Sequence, residues 1–210
     1  MKKVIPLLII FLGFSVAIAQ ESKETAKEEP KKEESKKDSS TESTSDQPKF
    51  NPHANEELFR HVVSGDVGGL KRAIQSGGDV NSRIRDLTPL MIACGNGNKD
   101  VVSVLLENNA DLKVRGENGK TSLSISLRKN LLPIAKMLLE KGADINTKDD
   151  KGVTPLMWAS YEGRVQTVQF ILENKPNVND TNIKGKTALN YAKEKNYKDI
   201  IKALVEAGAE

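Results

Sequence analysis

The chain has 210 residues, with 32 basic and 29 acidic side chains and a net charge of +3 at pH 7. Acidic residues are interspersed among the basic ones, so the chain has no basic block that could follow a phosphate backbone, and we expect no nucleic acid partner. Its single cysteine, Cys94, excludes an intramolecular disulfide.

Residues 1–19 have the features of a secretory signal peptide. Two lysines precede an apolar run from Val4 to Ala19, and Ala17-Ile18-Ala19 supplies the small residues that a leader peptidase accepts. We expect cleavage between Ala19 and Gln20, a mature chain without membrane insertion, and a periplasmic or secreted location. The alternative is an uncleaved anchor, because such a run can span a thin bilayer when it tilts.

Residues 20–52 consist almost entirely of Lys, Glu, Ser, Thr, Asp and Gln. A segment with so much charge and so little apolar content cannot form a core, so we predict a disordered linker. Its charges alternate in sign, which favours no single class of partner. We interpret the segment as a tail, or as a spacer if the leader is kept as an anchor.

Residues 53–210 are dominated by an internal repeat. The signal Thr-x-Leu-x recurs every 33 residues, as TPLMIAC from Thr88, TSLSISL from Thr121, TPLMWAS from Thr154 and TALNYAK from Thr187. Two apolar ladders keep the same phase, namely Leu90, Leu123, Leu156 and Leu189, and Leu105, Leu138, Ile171 and Leu204. A degenerate copy begins near Glu56 at an offset of 32. The predicted units are about 55–87, 88–120, 121–153, 154–186 and 187–210.

These residues resemble the ankyrin repeat family, whose signature is Thr-Pro-Leu-His-x-Ala. Each unit is too small to bury its own apolar face and must stack on its neighbours. The resemblance implies an all-α solenoid of helix-turn-helix units with short β-hairpin-like loops. It implies positive φ at the loop glycines Gly119, Gly152 and Gly185, and left-handed caps after the second helices at Asn109, Gly142 and Gly208.

The unit from Thr121 departs most from the family pattern. Ser122 stands in place of the proline, and Asn130 replaces the glycine between the two helices. In every unit the signature histidine is replaced, which removes a polar support between repeats; the substitutes are Met91, Ser124, Met157 and Asn190. We therefore expect this third unit to be the weakest part of the stack.

Candidate binding residues follow each threonine at fixed intervals. In ankyrin stacks the first helices line the concave side, and the positions four, seven and eight residues after each threonine should form one face. We predict a protein partner on this face, bound by Ile92, Ile125, Arg128, Lys129, Trp158, Tyr161, Glu162, Tyr191 and Glu194. The alternative is that the aromatic residues only cover the groove between helices. The loop tips are candidates to extend the face through Arg83, Ile84, Arg85, Arg115, Lys148, Asp149, Asp150, Ile183 and Lys184.

No pattern indicates catalysis, a cofactor or a metal site. Cys94 occupies a position that the family fills with a small packed residue, so we interpret it as a buried structural thiol. His53 and His61 lack the companions of a zinc site, and His61 is predicted to pack in the first unit. The in-phase carboxylates Glu107, Glu140, Glu173 and Glu206 are too widely spaced for calcium and are interpreted as a solvated edge.

The sequence therefore predicts an exported, monomeric scaffold for protein–protein interaction. Two alternatives remain open at this point. One is a periplasmic stress-protective or accessory protein for an envelope enzyme, and the other is a secreted effector that binds a host protein. An enzyme is the least favoured interpretation, because the repeat ladders provide no titratable cluster.

Overall fold

A computed structural model of the chain describes residues 52–210. The predicted leader and the linker up to residue 51 lie outside the described residues. Pro52, which we assigned to the linker, is the first residue of the first helix instead. Proline is well tolerated there, because the N–H that it lacks would have no partner inside the helix.

Ten α-helices make up this part of the chain, in five consecutive pairs. Their bounds are α1 Pro52–Ser64, α2 Val67–Gln75, α3 Pro89–Asn96, α4 Lys99–Glu107, α5 Ser122–Arg128, α6 Leu132–Glu140, α7 Pro155–Tyr161, α8 Val165–Glu173, α9 Ala188–Glu194 and α10 Lys198–Glu206. Between residues 52 and 210 the only β pairing is an isolated bridge joining Ile84 and Leu87. The predicted hairpin-like loops are thus turns without strands.

The helices form two layers that share one core. Each odd-numbered helix contacts the next odd-numbered one, and each also contacts its own partner in the other layer. Both leucine ladders are fully or almost fully buried, as their phase predicts. Each Leu or Ile buried in this way contributes about 1.5–3 kcal/mol to the stability of the fold. Because a repeat is too small to bury these residues alone, the stack depends on contacts between neighbouring repeats.

The in-phase threonines cap the first helix of each unit from the second onward. Each threonine Oγ1 accepts the N–H of the third helical residue, over 3.2 Å at Thr88 and Thr154. Where no proline follows the threonine, the threonine N–H also donates a hydrogen bond to the side chain of that third helical residue. The N–H of Thr121 donates to Ser124 Oγ over 3.0 Å, and that of Thr187 donates to Asn190 Oδ1 over 2.9 Å. This capping box satisfies a second free donor of the helix.

Ser124 and Asn190 stand where the family has its signature histidine. Each forms a capping box with the threonine of its own repeat, so the bond that it supplies lies within a repeat and not between repeats. At the other two positions Met91 and Met157 are almost fully buried and contribute apolar contacts instead.

A residue with positive φ, in the left-handed backbone conformation, follows each of the two helices in every unit. The loop glycines have the predicted positive φ, near 70° in each case, and the caps at Asn109, Gly142 and Gly208 are confirmed. Asn130 has φ of 59° at the turn between helices, a conformation that asparagine tolerates better than other residues with a Cβ. Lys175 adopts φ of 50° at the second-helix cap of the fourth unit, where no side-chain feature favours it.

Asparagine side chains join successive repeats. Asn81 Oδ1 accepts the N–H of Asp111 over 2.7 Å, and Asn146 Oδ1 accepts that of Asn177 over 2.7 Å. Asn179 does the same for Glu210 over 3.0 Å. The residue in this phase between the second and third repeats is Lys113, which has no acceptor atom to offer, so this junction lacks the bond.

A second ladder joins the loops through basic side chains. Arg83 Nη2 donates to the carbonyl oxygen of Arg115 over 3.0 Å, and Arg115 Nη1 donates to that of Lys148 over 2.8 Å. Lys148 Nζ continues the series to Thr181 over 3.3 Å. Three of the loop residues that we considered for the partner face therefore hold neighbouring loops together, which revises that expectation.

Candidate protein-binding face

The first helices and the loops enclose an open surface cleft of about 410 Å³, which we call the aromatic cleft. Helices α5, α7 and α9 supply one side, and the loops before α5 and α7 supply the other. The cleft is lined by Asn118, Lys120, Arg128, Asp149, Asp150, Lys151, Val153, Met157, Trp158, Tyr161 and Tyr191. It joins residues from four consecutive repeats.

Trp158 lies in the cleft with cationic groups near its ring. The guanidinium carbon of Arg128 is 5.0 Å from the ring centroid, and that of Arg164 is 6.0 Å away. Burial lowers the pKa of Arg128, and the nearby carboxylates of Asp149 and Glu162 oppose that shift. Arginine keeps its charge at neutral pH even so. Each cation–π contact contributes roughly 0.5–2 kcal/mol and restrains the indole ring.

Tyr161 and Tyr191 form an edge-to-face pair beside Trp158. Their ring centroids are 5.6 Å apart and the planes meet at 81°. Asn182 Nδ2 donates to the Tyr191 hydroxyl over 2.7 Å, which orients that ring. Lys195 Nζ lies 4.6 Å from the Tyr161 centroid. The Tyr161 side chain nevertheless remains exposed, at 44%, so it presents a restrained aromatic surface to solvent.

Glu194 lies beside this pair and is engaged within the chain. Its Oε1 atom is 2.6 Å from Lys186 Nζ, and this contact raises the pKa of Lys186. Lys186 Nζ also lies 5.5 Å from the Tyr191 centroid. The carboxylate of Glu194 therefore supports the aromatic pair through Lys186.

The predicted residues divide between the cleft and its surroundings. Arg128, Trp158, Tyr161 and Tyr191 line the cleft together. Ile92 and Ile125 do not line it, and they are partly buried against the core, as Trp158 and Tyr191 also are. Lys129 and Glu162 are exposed but lie outside the lining. The structure thus brings four of the nine predicted residues together in one cleft, and their binding of a partner stays a prediction.

Several cleft residues were missed by the sequence reasoning. Lys120, Val153 and Lys186 each immediately precede an in-phase threonine, and the first two line the cleft while the third contacts Tyr191. That shared phase was a signal that could have found them. Arg164 gave no such signal, because the residues in its phase are Asn98, Leu131 and Tyr197.

Cys94 and His61, for which we predicted no catalytic or metal-binding role, both pack within the fold. Cys94 is fully buried, and burial raises the pKa of its thiol to about 12. His61 Nδ1 lies 3.0 Å from Asp66 Oδ2 and packs within the first repeat, as predicted. Over residues 52–210 we find no group of side chains that could hold a metal ion. In the same range no helix combines the length and apolar character needed to cross a membrane.

Comparison with known proteins decides the family. The family model for ankyrin repeats matches residues 58–149 and 145–210, which is most of the chain. The chain belongs to the ankyrin repeat family. Part of this ankyrin protein is similar to serine/threonine-protein kinase 12 of Arabidopsis thaliana, with 34% identity over 35% of this chain. The similarity spans 19% of that kinase's length.

The ankyrin match confirms the predicted all-α solenoid. The cleft residues from α5, α7 and α9 belong to the first helices of the third, fourth and fifth repeats.

Proposed function

We propose that this ankyrin repeat protein is an exported, non-catalytic scaffold that binds a protein partner through the aromatic cleft of its concave face. The observation that carries the proposal is the clustering of Trp158, Tyr161, Tyr191 and Arg128 in one open cleft. Trp, Tyr and Arg are the residue types that contribute most to the free energy of protein association.

The cleft is organised before any partner arrives. The two arginines restrain Trp158, and Asn182 and Lys186 restrain Tyr191. Association loses affinity when side chains must be ordered, at roughly 0.5–1.5 kcal/mol for each one. Rings that are already restrained avoid much of that cost, which favours their use as anchors.

Binding rather than catalysis is the role that these groups support. The thiol of Cys94 is inaccessible and strongly disfavours the thiolate, so it is a poor nucleophile. Three charged groups of the cleft are engaged within the chain, since Arg128 contacts the Trp158 ring, Asp149 bonds loop backbone and Asp150 bonds Arg115. Such an arrangement stabilises a surface without preparing a general acid or base.

The binding proposal is tested by capture of partners from an extract of the cells that make the protein. If Trp158 is a desolvated anchor, Trp158→Ala should weaken binding by at least about 2 kcal/mol, which is about thirtyfold in Kd. Glu173→Ala changes an exposed side chain of α8 and serves as the control. Unfolding midpoints must show that each variant is folded. Folded Trp158→Ala and Tyr161→Ala proteins that capture the same partners with unchanged affinity would refute the proposal.

The export proposal has its own test. Its support is the basic start, the apolar run and Ala17-Ile18-Ala19. N-terminal sequencing of the native protein should identify Gln20 as the first residue. An intact Met1 in the cytosolic fraction would contradict export, whereas an intact Met1 in the membrane fraction would favour the anchored alternative.

A further inference from the structure

The acidic groups of the aromatic cleft are committed to the fold. Asp150 Oδ1 accepts a 2.9 Å bond from Arg115 Nη2. Asp149 Oδ1 accepts the N–H groups of Lys151 and Val153, each over 2.9 Å, while its Oδ2 atom lies 3.7 Å from Arg128. These carboxylates hold the loop in place, so they are poorly placed to recognise a positively charged ligand.

Two basic groups of the cleft remain available. Lys120 and Lys151 both line it, and neither has an ion-pair partner anywhere in the described range of 52–210. They extend from successive loops, so their ammonium groups belong to neighbouring repeats. Helices of adjacent repeats pack about 8–10 Å apart, a distance that about three residues of an extended peptide span at about 3.3 Å each.

The aromatic rings of the cleft already make cation–π contacts with basic side chains of the same chain. Arg128 and Arg164 lie near the ring of Trp158, and Lys195 lies over Tyr161. A lysine, arginine or methylated ammonium from a partner would meet these like charges instead of a free ring face. The cleft therefore disfavours cationic ligands, although such ligands are the common occupants of aromatic cages.

Between these charged groups the cleft exposes apolar surface that a ligand could contact. Tyr161 is exposed at 44%, and the partly exposed Val153 lines the adjoining wall of the cleft. The volume of about 410 Å³ accommodates a few side chains of a partner. An apolar side chain can thus lie against the aromatic residues while the chain on either side follows the loops.

We propose that the aromatic cleft binds an extended acidic segment of the partner, with carboxylates near Lys120 and Lys151 and an apolar side chain against Trp158 and Tyr161. The proposal rests on the proposed function, since it names the chemistry of the partner that the same cleft binds. Complementary charge accelerates association and excludes wrong partners, and the attraction weakens as salt is added.

The test is selection from a library of short random peptides displayed on phage, with the full chain immobilised. We expect the selected peptides to carry Asp and Glu around an apolar residue. The Lys120→Gln/Lys151→Gln protein should bind the best selected peptide about tenfold more weakly, and so should the wild type when the glutamates of that peptide are changed to glutamine. Lys136→Gln/Lys141→Gln removes two exposed charges outside the cleft and should leave the affinity within about twofold.

The other outcomes overturn the proposal in distinguishable ways. Selected peptides that are neutral or basic would refute the acidic segment, as would acidic peptides that ignore the change at Lys120 and Lys151. A selection that yields no peptide dependent on these lysines would refute it as well. If Trp158→Ala still abolishes capture of partners from extract in any of these cases, the proposed function stands without this inference. If both sets of changes leave capture intact, both proposals fail.

Discussion

The third and fourth repeats bury the same ladder positions but begin their first helices in different ways. Helix α7 starts with Thr154 and a proline, whereas α5 starts with Thr121 and a capping box that uses Ser124. Between their helices the fourth repeat has Gly163 and the third has Asn130. The comparison shows that, where a residue of the third repeat departs from the family pattern, a local hydrogen bond compensates for the departure.

Asn130, which replaces the family's glycine, also links the third repeat to the fourth. Thr167 Oγ1 donates to Asn130 Oδ1 over 3.2 Å, a contact that glycine at the same position could not make. Two further places of the stack lack a favourable feature that the other repeats have. One is the junction between the second and third repeats, where Lys113 interrupts the asparagine ladder. The other is Lys175 in the fourth repeat, with its left-handed backbone.

The largest expected effect tests whether the cores of the two repeats are equally packed. Leu138 and Ile171 are both fully buried in the same phase. We expect Leu138→Ala and Ile171→Ala each to lower the free energy of unfolding by roughly 2–5 kcal/mol, since each leaves a cavity. Chemical denaturation measures both. A cost below about 1 kcal/mol at Leu138 alone would show that the third repeat is loosely packed.

A smaller effect is expected at the helix starts. Thr121→Ala and Thr154→Ala should each cost about 1 kcal/mol, because each removes the acceptor for a helix N–H. In the third repeat Ser124→Ala should add a further loss, since it removes the return bond of the capping box. Thermal unfolding of the single and double variants measures this. A Ser124→Ala protein as stable as the wild type would show that the box contributes nothing.

The interrupted asparagine ladder predicts a gain of stability. Lys113→Asn should stabilise the stack by up to about 1 kcal/mol, because Asp144 N–H would acquire the acceptor that Asp111 and Asn177 already have. Lys113→Ala is the matched control, which removes the lysine without adding an acceptor. Equal unfolding midpoints for the two variants would mean that the added amide makes no bond.

The smallest expected difference concerns local opening of the two first helices. Amide hydrogen exchange should be faster in residues 122–130 than in residues 156–160, because each repeat is held only by its neighbours and α5 lacks the proline start. The capping box should keep the difference modest. Equal protection in the two segments would contradict the prediction that the third repeat is weaker.

Most of the fold was predictable because the repeat is phased. Burial, helix starts and left-handed caps all recur with the threonines, so a position such as Leu138 or Gly142 could be assigned from its phase alone. The asparagine ladder is also in phase and could have been found the same way. Ser124 could not, because comparison with the family registers a lost histidine and gives no sign of a capping box.

The candidate site was less predictable, because its contacts depend on long side chains rather than on phase. The pattern put Trp158 and Tyr161 on one face, and both line the cleft, but it also included Ile92 and Ile125, which do not line it. The position of Arg164 beside Trp158 depends on how α7 and α8 meet. Such packing follows from the tertiary structure and leaves no mark in the spacing of residues.

Trp158 is the only tryptophan of the chain, and it lies in the cleft with two guanidinium groups near its ring. Its fluorescence therefore reports on one place alone. A ligand that enters the cleft should change the emission directly, without any added label. In unfolding experiments the same emission follows the fourth repeat and its neighbours, whereas circular dichroism averages over every helix. Transitions that coincide by both probes would show that the stack unfolds as one unit, and separate transitions would show that it opens in parts.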